Sequence, residues 1–531
     1  MFRPSNPQFS LLEVQNWIPE ATRKRLETGW AHVFRREVLD MIPESAFASL
    51  FHATHGRPNT PVTILVSLSI LKEMLDLTDE ALMESFYFDL RFHHALRLPL
   101  DEASMAIRTL YYFRQRVVGT PAVMATFTEV TKRIAEALSL SLGDQRLDST
   151  HICSNMATLT RLGLFTKTIE TFLKRLQKAF PSQFKALPKV FRERYTERSG
   201  YFADVRGSQS QRRLEVVAKD LWTLVDRFRS DVNVRKMHGY KLLKRLLDEQ
   251  CLTGDNDDNE LVGLKPPKEI ASDTLQNPSD PDATYDGHKG QGYQAQLSET
   301  CAKDNPIQVI THVDVEQAHK SDQNATIPTI DALAERGHAP KKLFADTSYN
   351  SGKNLIEAGE REVDLIAPTP GKADPDAIVL GHFDLNLEEM RVRACPMGLC
   401  PLRDSIGKDG KTRNLQFDQG RCAACGLVLD CPAGKKNGRL RIHPNDIATA
   451  FSRAREETDA FKEDYKIRSG IESTNAECKT AHGLGKLWSR GLPRVTFAVL
   501  MKALACNVKR FMRHQCAQIS GNRGEMAMEA A

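Results

Sequence analysis

Apolar residues recur at spacings of three and four through ILVSLSILKEMLDL and again through ASMAIRTLYYFRQRV, a pattern that predicts helices with one buried stripe. Thr78-Asp79 ahead of EALMESFYF is a helix-start signal, and Pro99 marks a break between helices. An all-helical leading domain is therefore expected over residues 1–138. Near 142 the period changes, and LGDQRLDSTHICS alternates as a half-buried strand does. Helical periodicity returns between 160 and 250, in TKTIETFLKRLQKAF and RRLEVVAKDLWTLVDRFR, before GDNDDNE at 254–260 opens a Pro- and Asp-rich linker. Strands follow in GYQAQLSET and IQVITHVDVE, a helix in SDQNATIPTIDALAERG, and strands in KKLFADTSY and VDLIAPT. A long helix is predicted over 446–482. Together these elements describe an α/β sheet domain over 139–515. It is interrupted by a basic helical block at 160–280 and a cysteine-rich block at 390–440. A frayed tail over 516–531 ends the chain.

A chain of 531 residues exceeds what one ordinary core organises. It has no run of eighteen apolar residues and no charged start followed by an apolar core, so a cytoplasmic location is expected. Five of the eleven cysteines fall between 395 and 431, a clustering that points to metal rather than to disulfides. The net charge of +5 does not by itself define a nucleic-acid partner. Its distribution says more, because residues 161–245 hold 21 Lys and Arg against 8 Asp and Glu. Such an excess either neutralises phosphates or is a solvated helical face carried on long cationic side chains.

Three carboxylates are candidates, Asp148 at the end of a strand in RLDSTH, Asp346 ending another strand in LFADTSY, and Glu472 on the late helix in RSGIESTNAECK, although by position alone each is more often a surface group or a cap. Two strand ends and a helix can bring distant carboxylates together, and a few oxygen ligands suffice for Mg²⁺. Around Glu472 the spacing is Tyr465, two residues, Arg468, three residues, Glu472, six residues, Lys479. On a helix, positions three, four and seven apart share one face, so these four side chains project together. That stripe suits a phosphate, or it is an exposed helix face with a routine Arg468–Glu472 pair. His151 and Tyr349 lie just beyond the two aspartates, within reach of DNA or in purely structural roles. Lys289 and His288, beside glycines in YDGHKGQGYQAQ, form either a phosphate-approaching turn or only a hairpin. Cys395, Cys400, Cys422, Cys425 and Cys431 offer five thiolates for the four places of a structural zinc site, with reduced cysteines and no metal as the other reading.

With all four positions of Tyr-x2-Arg-x3-Glu-x6-Lys in place, the chain resembles the bacterial insertion-sequence DDE transposases that carry this signature. The likeness extends to RLDSTHICSNM, to LFADTSYNSGKNL and to the helical region at 60–118. It implies a ribonuclease H-like catalytic domain in which Asp148, Asp346 and Glu472 bind Mg²⁺ (or Mn²⁺), while Tyr465, Arg468 and Lys479 contact DNA near the cut. It further implies binding of terminal inverted repeats, DNA cleavage and strand transfer. Similar transposases carry a Cys-Pro-x-Gly element before Cys-x2-Cys and another Cys, which favours Cys395, Cys422, Cys425 and Cys431 for Zn²⁺, with Cys400 as rival. A homodimer acting on element-end and target DNA is expected, because two ends are cut together. The alternatives are a transposase-derived protein that only grips DNA and a general nuclease of the same fold; the intact triad speaks against the first and the signature against the second.

Overall fold

The computed structural model describes residues 1–5, 10–196, 207–254, 261–371 and 377–529, so most of the acidic 254–260 linker lies outside the described residues. The leading region is helical, as its periodicity predicts, and includes α1 (Val62–Met74), α2 (Asp79–Phe88), α3 (Ile107–Val117) and α4 (Ala122–Ala137). The Thr78 hydroxyl caps α2 by accepting from Ala81 N at 3.1 Å.

Next comes strand β1 (Asp144–Cys153), alternately buried and half-buried over most of its length. A helical block separates it from the rest of the sheet. In that block α5 (Arg161–Ala179), α6 (Gly207–Arg227) and α7 (His238–Gln250) close a core of their own around Phe165, Phe172, Leu221 and Leu243. The chain then returns in β2 (Gly290–Thr300), β3 (Ile310–Gln317), α8 (Thr326–Glu335), β4 (Lys342–Phe344), α9 (Gly352–Gly359) and β5 (Asp364–Ile366). The sheet runs β3-β2-β1-β4-β5: β1, β2 and β3 are antiparallel neighbours, and β4 and β5 run parallel to β1. Thr284–Asp286 adds a short strand beside β2. A cysteine-bearing region with its own small core around Phe417 and Ile442 precedes the last helices.

Where one helix is predicted over 446–482, the structure has α10 (Pro444–Glu456), α11 (Asp459–Tyr465), a tight turn over Lys466–Ser469, and α12 (Gly470–Thr480). Two local causes break it. Thr458 starts a new helix by capping Phe461 N at 3.2 Å. At the second break Arg146 Nη1 takes a hydrogen bond to Ile467 O at 2.8 Å, and it sits where a Cβ on residue 470 would be, 1.8 Å away. Only glycine admits that guanidinium.

The final helix α13 (Leu492–Glu529) continues through the stretch expected to fray. From Val495 to Met512 it is buried on nearly every side, packing on α1, α4 and β3. Asn507, fully buried, closes the free edge of β3 by accepting from Ile310 N at 2.7 Å and donating to Ile310 O at 2.8 Å. Through α13 the leading helices and the antiparallel half of the sheet share one continuous core. No helix among the described residues is long and apolar enough to cross a membrane.

Candidate active site

In the register of the parallel pair, Arg146 on β1 faces Phe344 on β4. Asp148 and Asp346 each lie two residues further on, so a period of two sets both carboxylates at one level of the sheet and on one face. Asp346 accepts from Ser348 N at 2.8 Å, which fixes the turn after β4. Glu472 enters from the first turn of α12. The three side chains are graded in exposure, at 14% for Asp148, 37% for Asp346 and 65% for Glu472.

Arg468 stands among them. Its Nη2 is 3.1 Å from Asp148 Oδ1 and 3.8 Å from Asp346 Oδ2, while Nη1 is 3.0 Å from Glu472 Oε1. The signature arginine thus neutralises the carboxylates, and its Nε has no hydrogen-bond partner. Burial pushes the Asp148 carboxyl up to about 6; Arg468 opposes this, and Asp346 and Asp322 add to it.

The turn over Lys466–Ser469 keeps right-handed helical backbone at both ends, and across it Arg468 and Glu472 pair at 3.0 Å. Tyr465, half-buried, stacks on Phe461 with ring centroids 5.5 Å apart; burial raises its hydroxyl pKa, Arg468 lowers it, and Asp346 and Asp148 raise it. Lys479 is exposed on the last turn of α12. Tyr349 is fully buried and donates to Gln296 Oε1 at 2.5 Å, which makes it part of the floor. Neither ring nitrogen of His151 has a hydrogen-bond partner. Burial lowers its pKa, and Lys289 and Lys479 lower it further. Lys289 and His288 sit in the turn that joins Thr284–Asp286 to β2, with both backbone N–H groups donating to Asp286 Oδ1. The loop after α12 runs beside the end of β1, where Cys153 N donates to Gly485 O at 2.9 Å. It carries exposed Lys486 and Trp488, the latter 92% exposed.

Several functional positions escape sequence reasoning. Asp322 accepts from Ser149 Oγ at 3.1 Å and Ser348 Oγ at 3.3 Å, linking the segments that carry both aspartates. Asn475 donates to Asp148 Oδ2 at 2.9 Å; its place three residues after Glu472, on the same helix face, was the available signal. Glu299, completely buried on β2, pairs with Arg146 at 2.6 Å and Arg510 at 3.2 Å and accepts from Thr474 Oγ1 at 2.6 Å. It ties β1, β2, α12 and α13 together, and nothing in its sequence surroundings marks it.

In the cysteine region Cys395, Cys422, Cys425 and Cys431 line one small cavity. Burial raises the Cys422 thiol pKa, and the other three sulfurs add to that. Leu399 N donates to Cys395 Sγ at 3.3 Å and Leu427 N to Cys425 Sγ at 3.5 Å, an arrangement suited to thiolates. Cys400 is exposed and lines no part of this cavity. None of the eleven cysteines is in a disulfide.

Three carboxylates from two adjacent strands and a helix thus surround one guanidinium. Residues 394–512 match the family described as "Transposase DDE domain", and residues 20–116 match "Transposase domain (DUF772)". The first match contains Glu472, Tyr465, Arg468, Lys479 and the cysteine region, whereas Asp148 and Asp346 lie outside both. These two matches support a transposase function. No curated protein and no solved structure matches the chain.

Proposed function

We propose that this chain is an insertion-sequence DDE transposase that binds the terminal inverted repeats of its element and carries out metal-dependent DNA cleavage and strand transfer on a ribonuclease H-like domain. The observation that carries the reading is the convergence of Asp148, Asp346 and Glu472, more than 300 positions apart from first to last, around one arginine. Carboxylates gathered at that density repel one another unless a cation lies between them.

Asp148, Asp346 and Glu472 would hold Mg²⁺ or Mn²⁺, which when bound polarises the scissile phosphate and activates the attacking oxygen. Arg468 then turns from the carboxylates to the phosphate, a bidentate partner of the same geometry. Asn475 holds Asp148 in its rotamer throughout. Lys479, with Lys289, Lys486 and Trp488 near the end of β1, extends a basic and aromatic track for the DNA leading to the cut. Tyr465 supports this edge from within through its stack on Phe461. Exposed Lys174, Arg175 and Lys178 on α5 supply a second basic surface. Cys395, Cys422, Cys425 and Cys431 fit a structural Zn²⁺ that leaves no open position for substrate. The protein acts as a homodimer in the cytoplasm, at the nucleoid, one subunit for each element end.

The test is cleavage of a labelled duplex bearing the element end, with Mg²⁺, by the intact protein and by Glu472→Ala. End-specific cutting by the first alone upholds the reading. Binding without cutting by both, or degradation of any duplex, replaces it with a DNA-gripping relic or a general nuclease.

A further inference from the structure

Among the described residues, only one trio of His, Cys and acidic groups has its ligand atoms all within 4.8 Å of one another, and it is not the triad around Arg468. It comprises Glu477 at the end of α12, His482 in the turn that follows, and Cys506 on α13. His482 and Cys506 are fully buried, and the Cys478 thiol, also buried, contacts that of Cys506.

The imidazole is set as a ligand. Its Nδ1 lies 2.9 Å from the Glu73 carbonyl oxygen, which can only accept, so Nδ1 carries the proton and Nε2 presents a lone pair. That Nε2 is buried and has no hydrogen-bond partner. A metal-bound histidine is held in the same way, by a backbone carbonyl on its far nitrogen. Glu477 is oriented too: Arg510 occupies Oε2 alone, at 3.0 and 2.8 Å. In addition, Lys502 holds the His482 carbonyl from α13.

We propose that Glu477, His482 and Cys506 bind a zinc-class cation that fastens α12 to α13. Mixed thiolate, imidazole and carboxylate donors suit Zn²⁺ in a tetrahedral site. The charge closes as well: the Cys506 thiolate and the Glu477 carboxylate balance the divalent ion, and Arg510 keeps Glu299 as a partner. The site is separate from the four cysteines of the 395–431 region and independent of the DNA chemistry. Its consequence for the fold is a fixed α12, the helix whose first turn carries Glu472.

Two measurements on the full chain decide it. After zinc loading and removal of loose metal, elemental analysis should give one zinc equivalent per chain fewer in Cys506→Ser and in His482→Gln than in the unaltered protein, with cooperative melting retained. Cadmium NMR of the unaltered, cadmium-loaded protein needs no variant: a resonance upfield of the all-thiolate region should appear, from a mixed sulfur, nitrogen and oxygen set. Equal zinc content in folded variants, or a cadmium spectrum without that resonance, overturns the assignment.

Discussion

Arg468 Nη2 lies 3.1 Å from Asp148 Oδ1 while Nη1 of the same guanidinium lies 3.0 Å from Glu472 Oε1, so one side chain spans the most buried and the most exposed carboxylate of the site. Without bound metal, Arg468 is the counter-charge of the triad.

Arg468→Ala should therefore destabilise the metal-free protein by about 2 kcal/mol, the scale of a charge-assisted hydrogen bond lost from a half-buried group. Added Mg²⁺ should restore most of that loss, while DNA cleavage stays low because the phosphate has lost its partner. Thermal midpoints in chelator and in Mg²⁺ check the first part. Equal loss of midpoint in both conditions would show that Arg468 is not the metal's stand-in.

The raised Asp148 carboxyl sets a pH dependence. A carboxyl whose folded pKa, about 6, exceeds its unfolded value favours folding at low pH, and that contribution is lost as pH rises through 6. In chelator, Asp148→Asn should gain stability relative to the unaltered protein between about pH 4 and pH 7. In Mg²⁺, cleavage by the unaltered protein should fall as pH drops below 6, where the proton competes with the cation. A flat difference in melting across this range would contradict the assignment.

Glu299 is completely buried between Arg146 and Arg510. Removing its charge leaves two guanidinium groups short of a partner, so Glu299→Gln should cost about 3–5 kcal/mol in denaturant unfolding. A loss under about 1 kcal/mol would mean the two arginines find other acceptors.

Gly470→Ala tests how the signature is presented. The new methyl collides with the Arg146 guanidinium, so either α12 or the Arg146–Glu299 pair must shift. Cleavage should fall at least about tenfold, the equivalent of about 1.4 kcal/mol in the barrier. Far-ultraviolet circular dichroism should change little. Full activity would show that Arg146 can leave without disturbing Glu472.

Lys479→Ala should weaken end binding and unrelated duplex binding alike, and lower the slope of log affinity against log salt by about 1. An unchanged slope would remove Lys479 from the DNA track.

The strands bearing the aspartates were legible because a period of two in DQRLDSTHIC and a short apolar run before Asp346 are local signals that the sheet preserves. The spacing around Glu472 pointed to the three carboxylates that the structure brings around Arg468. The single helix expected over 446–482 is divided, since helical periodicity cannot reveal that Arg146, 324 positions before Gly470, crosses the chain there. Asp322 and Glu299 were invisible for the same reason: their partners are brought close by the sheet and not by sequence. The Glu477, His482 and Cys506 cluster likewise depends on a turn and on the register of two helices.

The shared core of the leading helices and the β2–β3 half of the sheet sets a ruler inside the molecule. Helices threaded by α13 cannot swing as a separate arm, so any DNA held by the leading region is held at a constant distance from Asp148. Spacing between a bound sequence and the cut then becomes a property of the protein's interior. Inserting half a helical turn of DNA between them should abolish cutting at the element boundary while leaving affinity for the end intact.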